Sequence, residues 1–347
     1  MNFKQLIIDE DKIILEALEM LTRIRDYSRL ILFVTNKKGQ LIGSLTDGDV
    51  RRSLIKDQDL KKKVGEVCNR DFLFKFDSKN YLDLKSIYQK DIKILPLLKK
   101  DRTISRFLDL DVTKALLPIE CVIMAGGRGK RLSPLTDNIP KPMIKLNNKP
   151  IIEHNIDRLI RFGIKKIHIS VNYLADQIES YFGDGSSKGI EIKYIYENKK
   201  LGTAGALSLI ENIDSDNILM MNSDLFTNID FEKLYIKFIN DDLDMAISSK
   251  NYKIDLPYAV FETNESSITN LAEKPTYSYP TNAGIYMFKT ELIKMIPKDQ
   301  FYDITDLISS IINEGRNVSH VPISGYWIDI GSPNDLKHAQ QLTENLN

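Results

Sequence analysis

Three glycines within four positions, Gly126, Gly127 and Gly129, follow the apolar run Cys121-Val122-Ile123-Met124-Ala125. A strand that runs straight into glycines frees its backbone N–H groups to wrap around an anion. Arg128, Lys130 and Arg131 add positive charge beside that nest, so a triphosphate is its natural occupant. The loop is not a P-loop, because Gly-x-x-x-x-Gly-Lys-Ser/Thr cannot be placed on it. It is not a dinucleotide fingerprint either, because the third glycine position falls on Leu132. Downstream, Lys141 lies between Pro140 and Pro142, which fix its backbone and restrict its neighbour.

The elements that must position these residues alternate. Apolar patterning predicts strands over 164–171, 190–196 and 218–221, with helices over 172–182 and 203–213. Strand–helix alternation implies a mostly parallel sheet with helices on both faces, an α/β class. Ligands of such sheets sit at the C-terminal strand ends, where both the glycine loop and Asp224 fall.

Length and charge bound the rest. The 347 residues suggest two domains, with three possible. Lys+Arg and Asp+Glu both total 48, which argues against a nucleic-acid binder. That neutrality is a cancellation: residues 1–117 carry about six excess positive charges and 118–347 about six excess negative ones. A boundary is expected near 111–118. Two cysteines, Cys68 and Cys121, make no disulfide scaffold and no zinc spacing. No apolar run approaches the roughly 18 residues of a membrane span, and the N-terminus does not read as a secretory signal. A cytoplasmic, soluble protein is expected.

In the N-terminal part, Ile13, Ile14, Ala17, Leu18, Leu21 and Ile24 recur at helical spacing. Strands over 30–35 and 40–46 flank the turn Asn36-Lys37-Lys38-Gly39, and Asp47-Gly48-Asp49 opens another helix. This order resembles a CBS domain, through Glu16-Ala17-Leu18 and Met20, Ser28-Arg29, and Gly43-Ser44-Leu45-Thr46-Asp47-Gly48-Asp49. The first copy spans about 1–60. A second, degenerate copy spans about 61–114, starting at Val64-Gly65-Glu66, with strands over 92–98 and 103–108 and without the Gly-x-x-Thr-x-x-Asp ending. The resemblance implies a regulatory module, with an adenine nucleotide held by Thr46 and Asp49. The alternative is that these two residues cap a helix.

The longer string around the glycine loop, Gly-Gly-x-Gly-x-Arg-Leu-x-Pro-Leu-Thr followed by Pro140-Lys141-Pro142, resembles the signature of sugar-1-phosphate nucleotidyltransferases. Matching segments follow in order: Pro150-Ile151-Ile152-Glu153-His154, Leu201-Gly202-Thr203-Ala204-Gly205, Asn222-Ser223-Asp224, Ala272-Glu273-Lys274-Pro275, Asn282-Ala283-Gly284 and Trp327-Ile328-Asp329-Ile330-Gly331. The resemblance implies a Rossmann-like, GT-A-like domain over 118–347. It also implies transfer of a nucleoside monophosphate from a nucleoside triphosphate, GTP favoured, to a hexose or amino-hexose 1-phosphate. The Pro-Lys-Pro and Gly-Thr-Ala-Gly forms resemble mannose-1-phosphate guanylyltransferases more than thymidylyltransferases, and the CBS fusion is similar to bacterial guanylyltransferases of nucleotide-activated amino sugars, including those acting on glucosamine 1-phosphate. UTP, CTP and dTTP stay open, as does a non-catalytic scaffold subunit of the same fold.

The nucleophile of that reaction is already an anion, so it needs no general base. Catalysis must instead neutralise and align two anions. A divalent cation such as Mg²⁺ is expected on few carboxylates, and Asp224 and Asp329, each ending a short apolar strand, are the candidates. By resemblance, Arg131 presses on the triphosphate, Lys141 reaches the α-phosphate or the sugar phosphate, and Lys274 contacts the sugar phosphate. Glu273, Asn282 and Tyr258 take the sugar, while Gly202, Thr203 and Gly205 approach base and ribose. Ala259 departs from the family's Tyr-Gly, and Lys130 stands where many relatives carry threonine. The chain ends soon after Gly331, so no C-terminal hexapeptide-repeat domain is expected. A homo-oligomer is expected. His154, His168, His320 and His338 have no metal-ligand spacing and read as packing or surface residues.

Overall fold

The computed structural model describes residues 3–24, 30–78, 81, 84, 87 and 92–346. The chain forms two compact units, Met1–Leu116 and Leu117–Asn347. The first is built by repetition. Strand β1 (Ile7–Asp9) leads to helix α1 (Ile14–Arg23), strands β2 (Ile31–Thr35) and β3 (Leu41–Thr46), and helix α2 (Asp47–Asp57). Helix α3 (Val64–Val67) follows, then β4 (Lys75–Phe76), β5 (Ile94–Leu98) and β6 (Ile104–Asp109).

The pairing of β2 with β3 recurs in β5 with β6 at a spacing of 63 residues. Ile31 faces Thr46 as Ile94 faces Asp109, and each ladder carries its irregularity at the same place, Val34/Thr35 and Leu97/Leu98. The parallel partner recurs as well: Asp9 faces Thr35 and Phe76 faces Leu98. Gln40 and Thr103, equivalent positions of the two halves, bridge each other. The second half departs where β6 ends, because residues 110–112 form a turn and residues 113–119 form no counterpart of α2. Ser28 and Arg29 lie outside the described residues.

The second unit is organised on seven strands in the order β11-β10-β7-β12-β17-β14-β18. These are β7 (Glu120–Met124), β10 (Lys166–Val171), β11 (Glu191–Tyr196), β12 (Asn217–Asn222), β14 (Met245–Asp255), β17 (Thr276–Lys289) and β18 (Val318–Pro322). Only β17 runs antiparallel. The uniformly buried Val122, Ile123, Ile169, Leu219 and Met220 explain why β7, β10 and β12 are the central strands. The order reverses at β7: the chain runs outward to β10 and β11, then returns to β12 on the other flank. This is the topological switch point at which α/β sheets open a crevice.

Two differences from the sequence expectation bear on the site. The helix expected over 203–213 is a single turn, Gly202–Gly205, followed by a 3₁₀ turn at Ala206–Leu209. Residues 211–217, Glu-Asn-Ile-Asp-Ser-Asp-Asn, hold side chains that compete for backbone hydrogen bonds and offer little apolar face. The helix expected from 172 begins later, at Ala175–Phe182. A feature not expected is a long ribbon. Beyond the sheet, the end of β14 and the start of β17 pair from Lys250/Thr281 to Asp255/Thr276, and the hairpin β15 (Val260–Asn264) and β16 (Ser267–Ala272) lies between them in sequence.

Candidate active site

The crevice is lined from both sides of the switch point. Asn222 faces Met124 at the ends of β12 and β7, and the Ser223 N–H donates to the Met124 carbonyl at 3.2 Å. The glycine loop therefore starts beside the segment that carries Asp224. Within the loop Gly129 is required twice over. Its φ is +66°, and a Cβ there would stand 2.9 Å from the Lys141 Cβ. The loop is closed by the Leu132 N–H and the Thr136 hydroxyl, both donating to the Gly129 carbonyl at 2.9 Å.

Lys141 is only 8% exposed. The 3₁₀ turn Lys141–Met143 carries it, Pro140 precedes that turn, and its ammonium donates to Asp224 Oδ2. Asp329 arrives by a different route. Strand β13 (Leu225–Thr227) pairs antiparallel with β19 (Trp327–Asp329), so that Leu225 faces Asp329, and the Ile330 N–H donates to the Asp224 carbonyl at 3.0 Å. The Trp327 indole fixes the other side of this strand by donating to the Ala283 carbonyl at 2.9 Å. Arg131 completes the group, with its guanidinium 3.2–3.4 Å from where a Cβ on Gly331 would lie.

The electrostatics of this cluster suit a cation. Burial, and then the neighbouring Asp224, push the Asp329 carboxyl above the usual carboxylate range, while Lys141 and Arg131 oppose the shift. Asp224 Oδ1 is buried with no hydrogen-bond partner. An orphaned carboxylate oxygen beside a second, mutually repelling carboxylate is the hard-oxygen donor set that a small divalent cation takes with few protein ligands. Among the described residues no cluster of three or more His, Cys, Asp and Glu side chains adds to these two.

The remaining sequence-derived residues divide. Gly202, with φ +78°, and Gly205 lie tight against the Tyr302 and Gln300 carbonyls. The Thr203 hydroxyl is engaged with Asp303 Oδ1 and accepts from the Ile304 N–H, so this turn is moored to the start of helix α8 (Ile304–Asn313), which follows helices α4–α7 of the same unit (Ile151–Arg161, Ala175–Phe182, Gly202–Gly205 and Phe231–Asn240). Asn282 caps its own turn, with Oδ1 accepting from the Gly284 N–H at 2.9 Å. Tyr258, 77% exposed, and the exposed Glu273 and Lys274 sit at the ribbon. The side chains that bear most on the charge of Asp329 are Asp224, Lys141, Arg131 and Asp335. Because β14 runs parallel to β12, the ribbon rises from the same edge of the sheet as the glycine loop.

Sequence reading missed Glu197. It directly follows β11, and its Oε1 lies 2.7 Å from where a Cβ on Gly126 would stand. The signal was available: a carboxylate at the C-terminal end of a predicted strand, just before Leu201-Gly202-Thr203. In the first unit, Thr46 and Asp49 are bonded to each other as a capping box at the start of α2, and Asp49 also pairs with Arg52. Three histidines have hydrogen-bond partners, His154 with the Leu146 carbonyl, His168 with Glu120 and His320 with Ser249, and His338 is exposed. Both cysteines are buried and free. Among the described residues no helix is long and apolar enough to cross a membrane.

Residues 120–345 match the nucleotidyl transferase family. The UTP–glucose-1-phosphate uridylyltransferase of Synechocystis sp. is 32% identical over 241 residues, covering 64% of this chain and 62% of that protein. The mannose-1-phosphate guanylyltransferase catalytic subunit beta of Xenopus tropicalis is 28% identical over 226 residues, covering 63% and 62%. Among solved structures, HddC from Yersinia pseudotuberculosis has a TM-score of 0.50 at 26% identity, covering 65% of this chain and 99% of that one. The chain thus spans 62% of the length of these two curated relatives.

Proposed function

From the premise that the chain belongs to the nucleotidyl transferase family, we propose that it joins a nucleoside triphosphate, GTP by preference, to a hexose or amino-hexose 1-phosphate, in the cytoplasm and as a homo-oligomer. The observation that carries this reading is the Lys141–Asp224–Asp329 group at the switch point beside the glycine loop. A phosphate oxygen of the sugar phosphate attacks the α-phosphorus, the bond from that phosphorus to the bridging β-oxygen breaks, and pyrophosphate leaves with the electron pair. No proton has to move, so the protein's task is charge and alignment.

The N–H groups at Gly126, Gly127 and Gly129 take phosphate oxygens, and Arg128, Lys130 and Arg131 balance the charge of the β- and γ-phosphates. Lys141, held rigid by the two prolines and the Gly129 surface, serves the α-phosphate. Asp224 and Asp329 hold Mg²⁺, which when bound neutralises the triphosphate and makes the α-phosphorus more electrophilic. Gly202, Thr203 and Gly205 shape the base and ribose side. Lys274 takes the sugar phosphate, and Glu273, Asn282 and Tyr258 take sugar hydroxyls, for which carboxylate and amide oxygens are suitable acceptors.

We also propose that the first unit is a tandem CBS module. Its duplicated strand pairing supports this, and the intact first copy would take an adenine nucleotide near Thr46 and Asp49. The deciding experiment is pyrophosphate release from four nucleoside triphosphates against a panel of sugar 1-phosphates. GTP with one hexose or amino-hexose 1-phosphate should turn over in the presence of Mg²⁺. No release from any pair would leave the scaffold alternative.

A further inference from the structure

Helix α4 turns an apolar row to the interior, with Ile151, Ile152, Ile156 and Leu159 all buried. Asn155 stands in the middle of that row, one turn from Ile151 and one from Leu159, and is 2% exposed. Asparagine is a poor helix former, and an amide in such a row resists burial unless it is hydrogen-bonded. Its partner is the segment that carries Asp224.

Asn155 Nδ2 donates to the Leu225 carbonyl at 2.9 Å and, more weakly, to the Ser223 carbonyl at 3.4 Å. These carbonyls lie on either side of Asp224, whose own carbonyl accepts from the Ile330 N–H at 3.0 Å. Three consecutive peptide groups are therefore held, two of them by one side chain. One turn further along α4, the Arg158 guanidinium donates to the Asn228 and Ile229 carbonyls. The helix thus holds the chain at both ends of 223–229. Leu225 is also the residue that faces Asp329 across the β13–β19 pair, so the hold on its carbonyl reaches both carboxylates.

Two carboxylates that share a cation repel each other without it, as Asp224 does Asp329. Something besides the cation must keep them in place. Lys141 restrains only Asp224 Oδ2, and Oδ1 has no partner. The direction of that oxygen is then set by the backbone, and the backbone at 223–225 is set in large part by Asn155. Groups that orient a metal's ligands commonly govern its affinity as strongly as the ligands' own geometry does. We infer that Asn155 is a positioning residue: by fixing the peptide groups that flank Asp224, it holds the geometry in which Asp224 and Asp329 take a divalent cation. This rests on the metal reading above.

The test titrates the full chain with Mn²⁺ alone, which shares the preference of Mg²⁺ for carboxylate oxygens, and follows the free ion by electron paramagnetic resonance. Wild type should bind Mn²⁺ at a site that Asp224→Asn removes. Asn155→Leu keeps the size and removes the donor, and its Kd for Mn²⁺ should rise by about 10- to 100-fold. Asn155→Ser keeps a hydroxyl donor and leaves room for a water, so its Kd should rise less; it decides the matter where the leucine variant does not fold. Ile156→Val loosens the same buried face with the amide intact, and its Kd should match wild type at a lower melting temperature. An unchanged Kd in the Asn155 variants that fold, or an equal rise in Ile156→Val, would overturn the inference and leave Asn155 as a packing residue. Wild type that binds no Mn²⁺, or Asp224→Asn that binds it as tightly, would overturn the metal reading and the inference with it. The titration needs no turnover, so the expected shifts in a protein that releases no pyrophosphate would overturn the transfer reading alone.

Discussion

Lys141 and Asp224, 83 residues apart in sequence, form a partly buried ion pair that ties the turn after the glycine loop to the end of β12. The lysine stem packs on Gly129, so one side chain senses both sides of the switch point. The pairing satisfies only Asp224 Oδ2 and leaves Oδ1 without a partner. A resting ion pair of this kind holds the lysine where an α-phosphate would take over from the carboxylate.

Lys141→Met tests that role while keeping the apolar stem against Gly129. Turnover should fall by about 10²–10³-fold, as when a preorganised charge at a developing anion is removed. Stability should fall as well, because a partly buried carboxylate loses its cation. Pyrophosphate release and thermal unfolding measure the two effects separately. A near-normal rate would make Lys141 a structural lysine.

Asp224→Asn and Asp329→Asn should part company in stability while sharing the loss of activity. Both remove a carboxylate expected to hold Mg²⁺, so pyrophosphate release should drop by about 10²–10³-fold in each. Asp329 is charged against the resistance of its own burial and of Asp224. Asparagine relieves that repulsion, and with EDTA present Asp329→Asn should melt higher than wild type, by about 2–4 °C per kcal/mol relieved in a unit of this size. Asp224→Asn leaves buried Lys141 unpaired and should melt lower. Equal melting temperatures for both variants would refute the electrostatic account.

The strand framework was legible because its central strands are uniformly apolar: Val122, Ile123, Leu219 and Met220 admit no other burial pattern. The glycine loop and Asp224 were legible because each follows such a strand, whereas Asp329 ends the short β19 and was read from the Trp327–Gly331 segment. What local patterning could not supply was pairing across long separations. Nothing near Thr203 announces that Asp303 and Ile304 will claim its hydroxyl, so a turn there read as the start of a helix. The ribbon was missed because its exposed Tyr252, Ile254, Tyr277 and Tyr279 form an apolar pattern that usually marks a buried face. Glu197 was missed because only the fold sets it against Gly126.

Thr46→Ala separates capping from effector binding in the first unit. The Thr46 hydroxyl and the Asp49 carboxylate close the start of α2, so the substitution should cost about 0.5–2 kcal/mol. Calorimetry of AMP or ATP on the full chain then decides the effector role. Binding should register in wild type at concentrations where Thr46→Ala shows none. An absence of heat in wild type, together with the stability loss, would assign the pair to capping alone.

Lys188 gives a prediction in pH. Its ammonium bonds Glu153 at 2.7 Å and Asp157 at 2.8 Å. Burial works to raise both carboxyls, yet their hydrogen bonds, from Lys188 and Tyr181 to Glu153 and from Lys149 and Lys188 to Asp157, hold them below the ordinary values of 4.5 and 3.8. Groups depressed in the folded state contribute stability that is fully present above their unfolded values and is lost as pH falls through the folded ones. Lys188→Met removes that contribution and leaves Glu153 with Tyr181 alone. The melting temperature of the variant should therefore trail wild type most near pH 7, and the gap should narrow as pH falls below about 4, toward the depressed folded values at which wild type loses the same charges. Thermal unfolding of both proteins from pH 3.5 to 7.5 measures this. A gap independent of pH would show that Lys188 stabilises by packing rather than by charge.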